Sequence, residues 1–138
     1  MYYRILLAAD LTDSGKITAK TAWEIANQFD ATLYAMHVIE PIFTYGYPGL
    51  VDFLSTQNEE ASKELSNLGR QYIIPEENLF LITGSPKAEI LTKAKELEVD
   101  LIVVGSHGRH GLASLLGSTA SSVLHNAECD VLTVRLID

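Results

Sequence analysis

Residues 101–119, LIVVGSHGRHGLASLLGST, carry the groups best placed to do chemistry. An aliphatic run, Leu101–Val104, stops at Gly105; Gly108, Gly111 and Gly117 follow, and Ser118-Thr119 opens a new helical pattern. A buried strand, a glycine-rich loop and a helix N-terminus in succession gather backbone N–H groups and a positive dipole end at one place, which suits a phosphate. Turn or close-packing duty would explain one such glycine; three of them in register with a Ser-Thr helix start favour the phosphate. His107, Arg109 and His110 stand in the same loop. His110 is expected at the rim, while His107 either touches phosphate or lies solvated.

Asp10 is the second candidate. It ends the apolar run Tyr3–Ala9, YRILLAA. A carboxylate there can accept from ribose hydroxyls, or it can close an Asx turn at a helix start; the two readings weigh equally. Ser118 and Thr119 are ordinary N-caps as well as potential ligands. Phosphoryl transfer would want a metal, a fixed cation and a positioned nucleophile or water. No base suggests itself and no lysine lies in the glycine loop, so no enzyme is expected. At most Asp10 would hold Mg²⁺ through water and Ser118 or Thr119 would accept phosphate. Gly15-Lys16 is not a P-loop, because Ile17 follows it and Asp10 occupies the upstream glycine position. There is no G-x-S-x-G elbow for a hydrolase. A zinc site from His107, His110 and Cys129 lacks further ligands. Cys129 reads as a small buried apolar residue, His37 as a hydrogen-bonded core histidine, and Trp23 as core.

The elements that must position these residues alternate. Tyr3–Ala9 is a strand, and Thr12 or Ser14 offers an N-cap to a helix with Ala19, Ala22, Trp23, Ala26 and Phe29 at helical spacing. Thr32–Val38 is a second strand and Pro41–Leu50 a Pro/Gly loop placed where a lid would sit. Val51–Tyr72 is a long helix, Asn78–Ile82 a third strand, and Ser85-Pro86 caps a helix containing Ile90, Leu91, Ala94 and Leu97. Leu101–Val104 is the fourth strand. Ser118–Asn126 is a helix with Ala120, Val123 and Leu124 inward, and Val131–Leu136 is the last strand. This order implies a parallel α/β sheet with helices on both faces. Such sheets bind ligands beyond the carboxyl ends of the strands, at the switch point of strand order. That brings Ala9-Asp10-Leu11 and the loop from Gly105 together.

Composition narrows the function classes. With 138 residues, 47% of them hydrophobic, the chain reads as one ordered domain spanning 1–138. Asp and Glu exceed Lys and Arg by eight, which argues against nucleic acid or an anionic membrane as partner. The single cysteine excludes an intrachain disulfide and fits a reducing compartment. The first apolar run, Ile5–Ala9, is too short for a signal peptide or a membrane span. A soluble, cytoplasmic protein is expected.

ILLAADLT, AMHVIEP and VDLIVVGSHGRHGLASLLGSTASSVLHNAECDVLTVR together resemble the universal stress protein family over the whole chain. The first-strand Asp-Leu, the GYPGLVDF loop and the length resemble its universal stress protein A branch. The resemblance implies a Rossmann-type, adenine nucleotide α-hydrolase-like fold: a five-stranded parallel sheet in the order 3-2-1-4-5, paired as a homodimer through Val131, Leu132, Thr133, Val134 and Leu136. It implies adenine-nucleotide binding, ATP with Mg²⁺ or AMP, through the pattern G-x2-G-x9-G-[ST]. Gly105, Gly108, Gly117 and Ser118 would surround the phosphates, with Thr119 nearby. Asp10 would face the ribose, Val38 would offer backbone groups to adenine, and Ala8 or Ala9 would line the base. Here only eight residues, Arg109–Leu116, separate Gly108 from Gly117. The alternative is therefore a dimer of the A branch that binds no nucleotide and acts through contacts with an unknown protein partner.

Overall fold

Five aliphatic segments pair side by side, all parallel: β1 (Arg4–Ala8), β2 (Thr32–Ile39), β3 (Leu79–Thr83), β4 (Leu101–Gly105) and β5 (Asp130–Val134). Their order in the sheet is β3-β2-β1-β4-β5. The computed structural model describes residues 1–41, 50–106 and 116–136, with the backbone alone for 50–53. Crossovers run through α1 (Gly15–Phe29), α2 (Leu50–Gln71), α3 (Pro86–Glu96) and α4 (Ser118–Asn126), and a 3-10 turn, Glu76–Asn78, precedes β3.

The continuous apolar strands follow from burial on both faces. Side chains alternate along a strand, so Ile5, Leu7, Leu33, Ala35, Leu101 and Val103 meet Ala19, Ala22 and Ala26 of α1 and Leu65 of α2. Leu6, Met36, Ile102 and Val104 point the other way, onto Ile90 and Ala94 of α3 and Ala120 and Val123 of α4. Burying each large member of these two layers stabilises the fold by roughly 1.5–3 kcal/mol. Trp23 closes the first layer against Tyr72, their rings 5.9 Å apart.

Helix ends are set by backbone conformation more than by caps. Pro86 opens α3 behind Ser85, whose side chain makes no cap bond. Asp30, Ile73 and Glu98 adopt left-handed φ of 53°, 55° and 53° just beyond α1, α2 and α3. In each case the next amide reaches back five residues: Ala31 to Ala26, Ile74 to Gly69 and Val99 to Ala94, at 2.8, 2.8 and 3.1 Å. This is the Schellman closure, which satisfies carbonyls left over by the last turn.

Two expectations about inward faces need correction. Leu124 is 47% exposed, because Ala120 and Val123 set the buried stripe of α4 and the next residue turns about 100° away. Phe29, at the end of α1, is likewise exposed, its ring edge-on to Tyr2. The last strand runs from Asp130 to Val134 and stops short of Leu136.

Candidate functional site at the carboxyl ends of the strands

β1 and β4 are neighbours, with Leu7 opposite Val103, so Ala9-Asp10 and Gly105-Ser106 leave the sheet side by side. This is the switch point, since the chain passes from β1 to β2 on one side and later crosses from β3 to β4 on the other side of β1.

The β1–α1 connection is built around Asp10. Its Oδ1 accepts from the Thr12 amide at 2.9 Å and the Thr12 hydroxyl at 2.8 Å, an Asx turn. The Thr12 carbonyl and hydroxyl oxygen receive the Gly15 amide, which starts α1. Ser14 is the N-cap residue by position but makes no cap bond; its hydroxyl pairs with that of Thr12 at 3.0 Å. Gly15 was not legible as a site residue. A methyl group there would land on the Asp10 carboxylate, so the turn exists only because position 15 has no side chain. Leu11 completes the turn at φ 61°, and no helix ends there.

β2 contributes His37 and Val38. The His37 Nδ1 lies 2.7 Å from the Ala9 carbonyl. A carbonyl only accepts, so Nδ1 carries the hydrogen. The histidine is partly buried, as expected of a core histidine with a partner, but it sits at the switch point. Val38 is partly buried against the α3/α4 layer.

β4 ends under the start of α4. Ser106 is buried, its amide bonded to the Val134 carbonyl and its hydroxyl oxygen to the Leu136 amide at 2.9 Å. The Ser106 carbonyl takes the Gly117 amide at 2.6 Å. Gly117, not Ser118 or Thr119, is therefore the N-cap of α4, and neither hydroxyl caps the helix. Gly117 commits its own amide to Ser106, just past β4; the following amides of the first turn have no partner within the helix. A Cβ at Gly105 would come within 2.8 Å of Leu136 Cδ1 and 3.2 Å of Thr18 Oγ1, so close packing already demands glycine there. His107 and Gly108, with Arg109, His110 and Gly111, lie outside the described residues, as do residues 42–49 of the expected lid loop.

Two depressions lie at the opposite end of the sheet. One, of about 460 Å³, is lined by Tyr2, Asp100, Cys129 and Asp130 among others; its neighbour, of about 510 Å³, lies between α3 and α4. Burial first of all pushes the Cys129 thiol up, with Asp130, Asp100 and Glu128 adding to it, which disfavours the thiolate.

The sequence profile of the universal stress protein family matches residues 1–135. This chain belongs to the universal stress protein family. A universal stress protein A homolog of Coxiella burnetii is 41% identical over 98% of this chain and 96% of its own length. The universal stress protein UspA from Lactobacillus plantarum, at 30% identity, superposes with a TM-score of 0.78 over 97% of this chain and 98% of its own. A universal stress protein solved in complex with cAMP, 23% identical, shares the fold with a TM-score of 0.64 over 99% of both chains.

Of the nucleotide residues expected of a universal stress protein, Ala8, Ala9, Asp10, Val38, Gly105, Gly117, Ser118 and Thr119 fall at the carboxyl ends of β1, β2 and β4 or in the first turn of α4. Among the expected interface residues, Val131, Leu132, Thr133 and Val134 form the edge strand, half-buried within the protomer. Leu136, beyond that strand, is wholly buried within this chain against Gly105. No helix among the described residues is long and apolar enough to cross a membrane.

Proposed function

We propose that this chain is a stress-response regulatory module that binds an adenine nucleotide, ATP or AMP, as a cytoplasmic homodimer. The observation that carries the reading is the held carboxylate of Asp10. Its Oδ1 is fixed by Thr12, which leaves Oδ2 to accept from ribose hydroxyls or to hold Mg²⁺ through water when the ligand is ATP. Ala8 and Ala9 would line the base, Val38 would present its backbone to adenine, and the first-turn amides of α4 at Ser118 and Thr119 would take phosphate, with Gly105, Gly117, His107 and Gly108 around it. A relative of the same fold was solved with cAMP, itself an adenine nucleotide.

Calorimetric titration with Mg-ATP, on protein first checked for co-purified nucleotide, tests this. Saturable binding weakened by Gly117→Val is expected. Absence of binding at millimolar nucleotide favours the second reading, a dimer that acts through protein contacts alone. The commitment of the Gly117 amide to Ser106 and the packing demand on Gly105 are what favour that alternative.

Dimerisation would use β5, the sheet edge. Val134 turns its carbonyl to the Ser106 amide, so Thr133, one residue away, turns its amide outward to a second copy. Thr133→Pro removes that donor at a position where an edge strand tolerates proline. Light scattering should show a dimer for the parent chain and a folded monomer for the variant; an unchanged dimer places the seam elsewhere.

A further inference from the structure

The β1–β2 ladder stops earlier than its geometry requires. The Ala9 amide donates to the Met36 carbonyl at 2.8 Å, which fixes Met36 and every second residue of β2 as those whose backbone groups face β1. Val38 is the next of these. In a continued parallel ladder its amide would donate to the Ala9 carbonyl. Among the described residues no such rung forms. The Ala9 carbonyl instead takes Nδ1–H of His37, the residue between them, at 2.7 Å.

We infer that His37 is a positioning residue for the nucleotide: it occupies the Ala9 carbonyl, ends the ladder one rung early and keeps the Val38 amide and carbonyl open to the edge of an adenine ring. This rests on the proposed nucleotide site and deepens it. An amide and a carbonyl facing the same way complement adenine, which offers an acceptor at N1 beside a donor at its 6-amino group. Guanine offers the reverse, a donor at N1 and an acceptor at O6, and is refused by the same pair. The His37 bond also pulls the chain out of β geometry where it must enter the Asp10 turn and the left-handed Leu11, so one side chain sets both the base edge and the ribose carboxylate.

The test compares three variants of the full chain by amide hydrogen exchange and by calorimetry with ATP, GTP and tripolyphosphate. His37→Phe releases the Ala9 carbonyl to the Val38 amide. Without ligand, that amide should exchange about tenfold more slowly, while ATP binding weakens by about tenfold, the worth of one hydrogen bond to a held group. Tripolyphosphate binding should not change, and the preference for ATP over GTP should shrink. His37→Asn keeps an N–H on the atom attached to Cγ and should restore parent behaviour. His37→Gln carries its nitrogen one bond further out and should not. A merely structural role for His37 predicts the opposite sign, faster exchange at Val38. That result, or equal ATP binding by parent and His37→Phe, overturns the inference. If the parent chain binds no adenine nucleotide, the nucleotide reading falls and takes the ligand half of the assignment with it. The exchange rate at Val38 still decides whether His37 ends the ladder.

Discussion

The two ends of this sheet are finished in different ways. At the amino end, side chains staple neighbouring segments: Asp100 accepts the Tyr3 and Arg4 amides at 2.9 and 3.1 Å, Arg4 donates to the Leu97 carbonyl at 2.9 Å, and the Tyr2 hydroxyl donates to Asp130 at 2.8 Å. The left-handed residues Asp30, Ile73 and Glu98 lie there too, each repaid by a backbone bond that closes a helix. At the carboxyl end, the finish is made by missing side chains and, among the described residues, a single strained residue. Gly15 makes room for the Asp10 carboxylate, Gly105 lets Leu136 and Thr18 close in, and Leu11 holds φ 61° with no helix to close. Strain that closes no helix, beside a held carboxylate and a helix N-terminus, is what supports the proposal that a ligand binds at this end. The amino end has depressions but spends its polar groups on itself.

Substitutions at the two ends should therefore separate stability from binding. The largest stability effect is expected for Gly105→Val, where two added methyls and a Cβ enter a fully packed corner against Leu136; the cost is about 3 kcal/mol, read as a fall in the urea midpoint with an unchanged slope. A loss under about 0.5 kcal/mol would mean that the corner is looser than drawn.

The sharpest contrast pairs Gly15→Ala with Asp100→Ala. Gly15→Ala displaces the Asp10 carboxylate and should weaken ATP binding about tenfold to a hundredfold, with stability changed by less than about 1 kcal/mol. Asp100→Ala strips the acceptor from two amides and should cost about 2 kcal/mol of stability, with ATP affinity unaltered. Equal effects of both variants on binding would erase the distinction between the ends.

Ile73→Gly should stabilise the chain by about 1 kcal/mol, because a β-branched residue sits in left-handed geometry while 86% exposed and so gives up no burial. A lowered melting temperature would show that the Ile73 side chain has a partner. The smallest effect concerns pH. The hydrogen bond to Asp130, with some burial and the charges of Asp130 and Asp100, raises Tyr2 above the ordinary tyrosine pKa of about 10. The folded chain keeps that proton to higher pH than the unfolded one. The contribution is thus intact below about pH 10 and is lost as pH rises through the raised value. Tyr2→Phe should flatten the fall of stability above pH 10; identical slopes would show that the hydroxyl is not held by Asp130.

The fold was legible because its strands are buried on both faces and therefore read as uninterrupted aliphatic runs, and because Pro86 and Ser118–Asn126 mark helix bounds cleanly. The sheet order came from the family resemblance, not from the pattern. Within α4 the phase was ambiguous: Val123 and Leu124 are both apolar in a nine-residue helix, and only packing shows which one faces in. The capping of α4 by Gly117 was hidden behind two residues with better capping chemistry. Asp10, Gly105 and Gly117 were visible by type and spacing. His37 was visible only as a core histidine, because its partner Ala9 is set by strand register, which no local pattern encodes. Gly15 reads in the sequence only as part of an incomplete P-loop, and its use as a space for a carboxylate appears only once the turn is folded.

The most direct test of the account is amide chemical-shift mapping of the chain as Mg-ATP is added. Shifts concentrated at Ala9–Gly15, Val38 and Ser118–Ala120, with Tyr2–Arg4, Asp100 and Asp130 unmoved, are the predicted result. Shifts confined to the amino end, around Tyr2, Asp100 and Asp130, or none at saturating nucleotide, would contradict it.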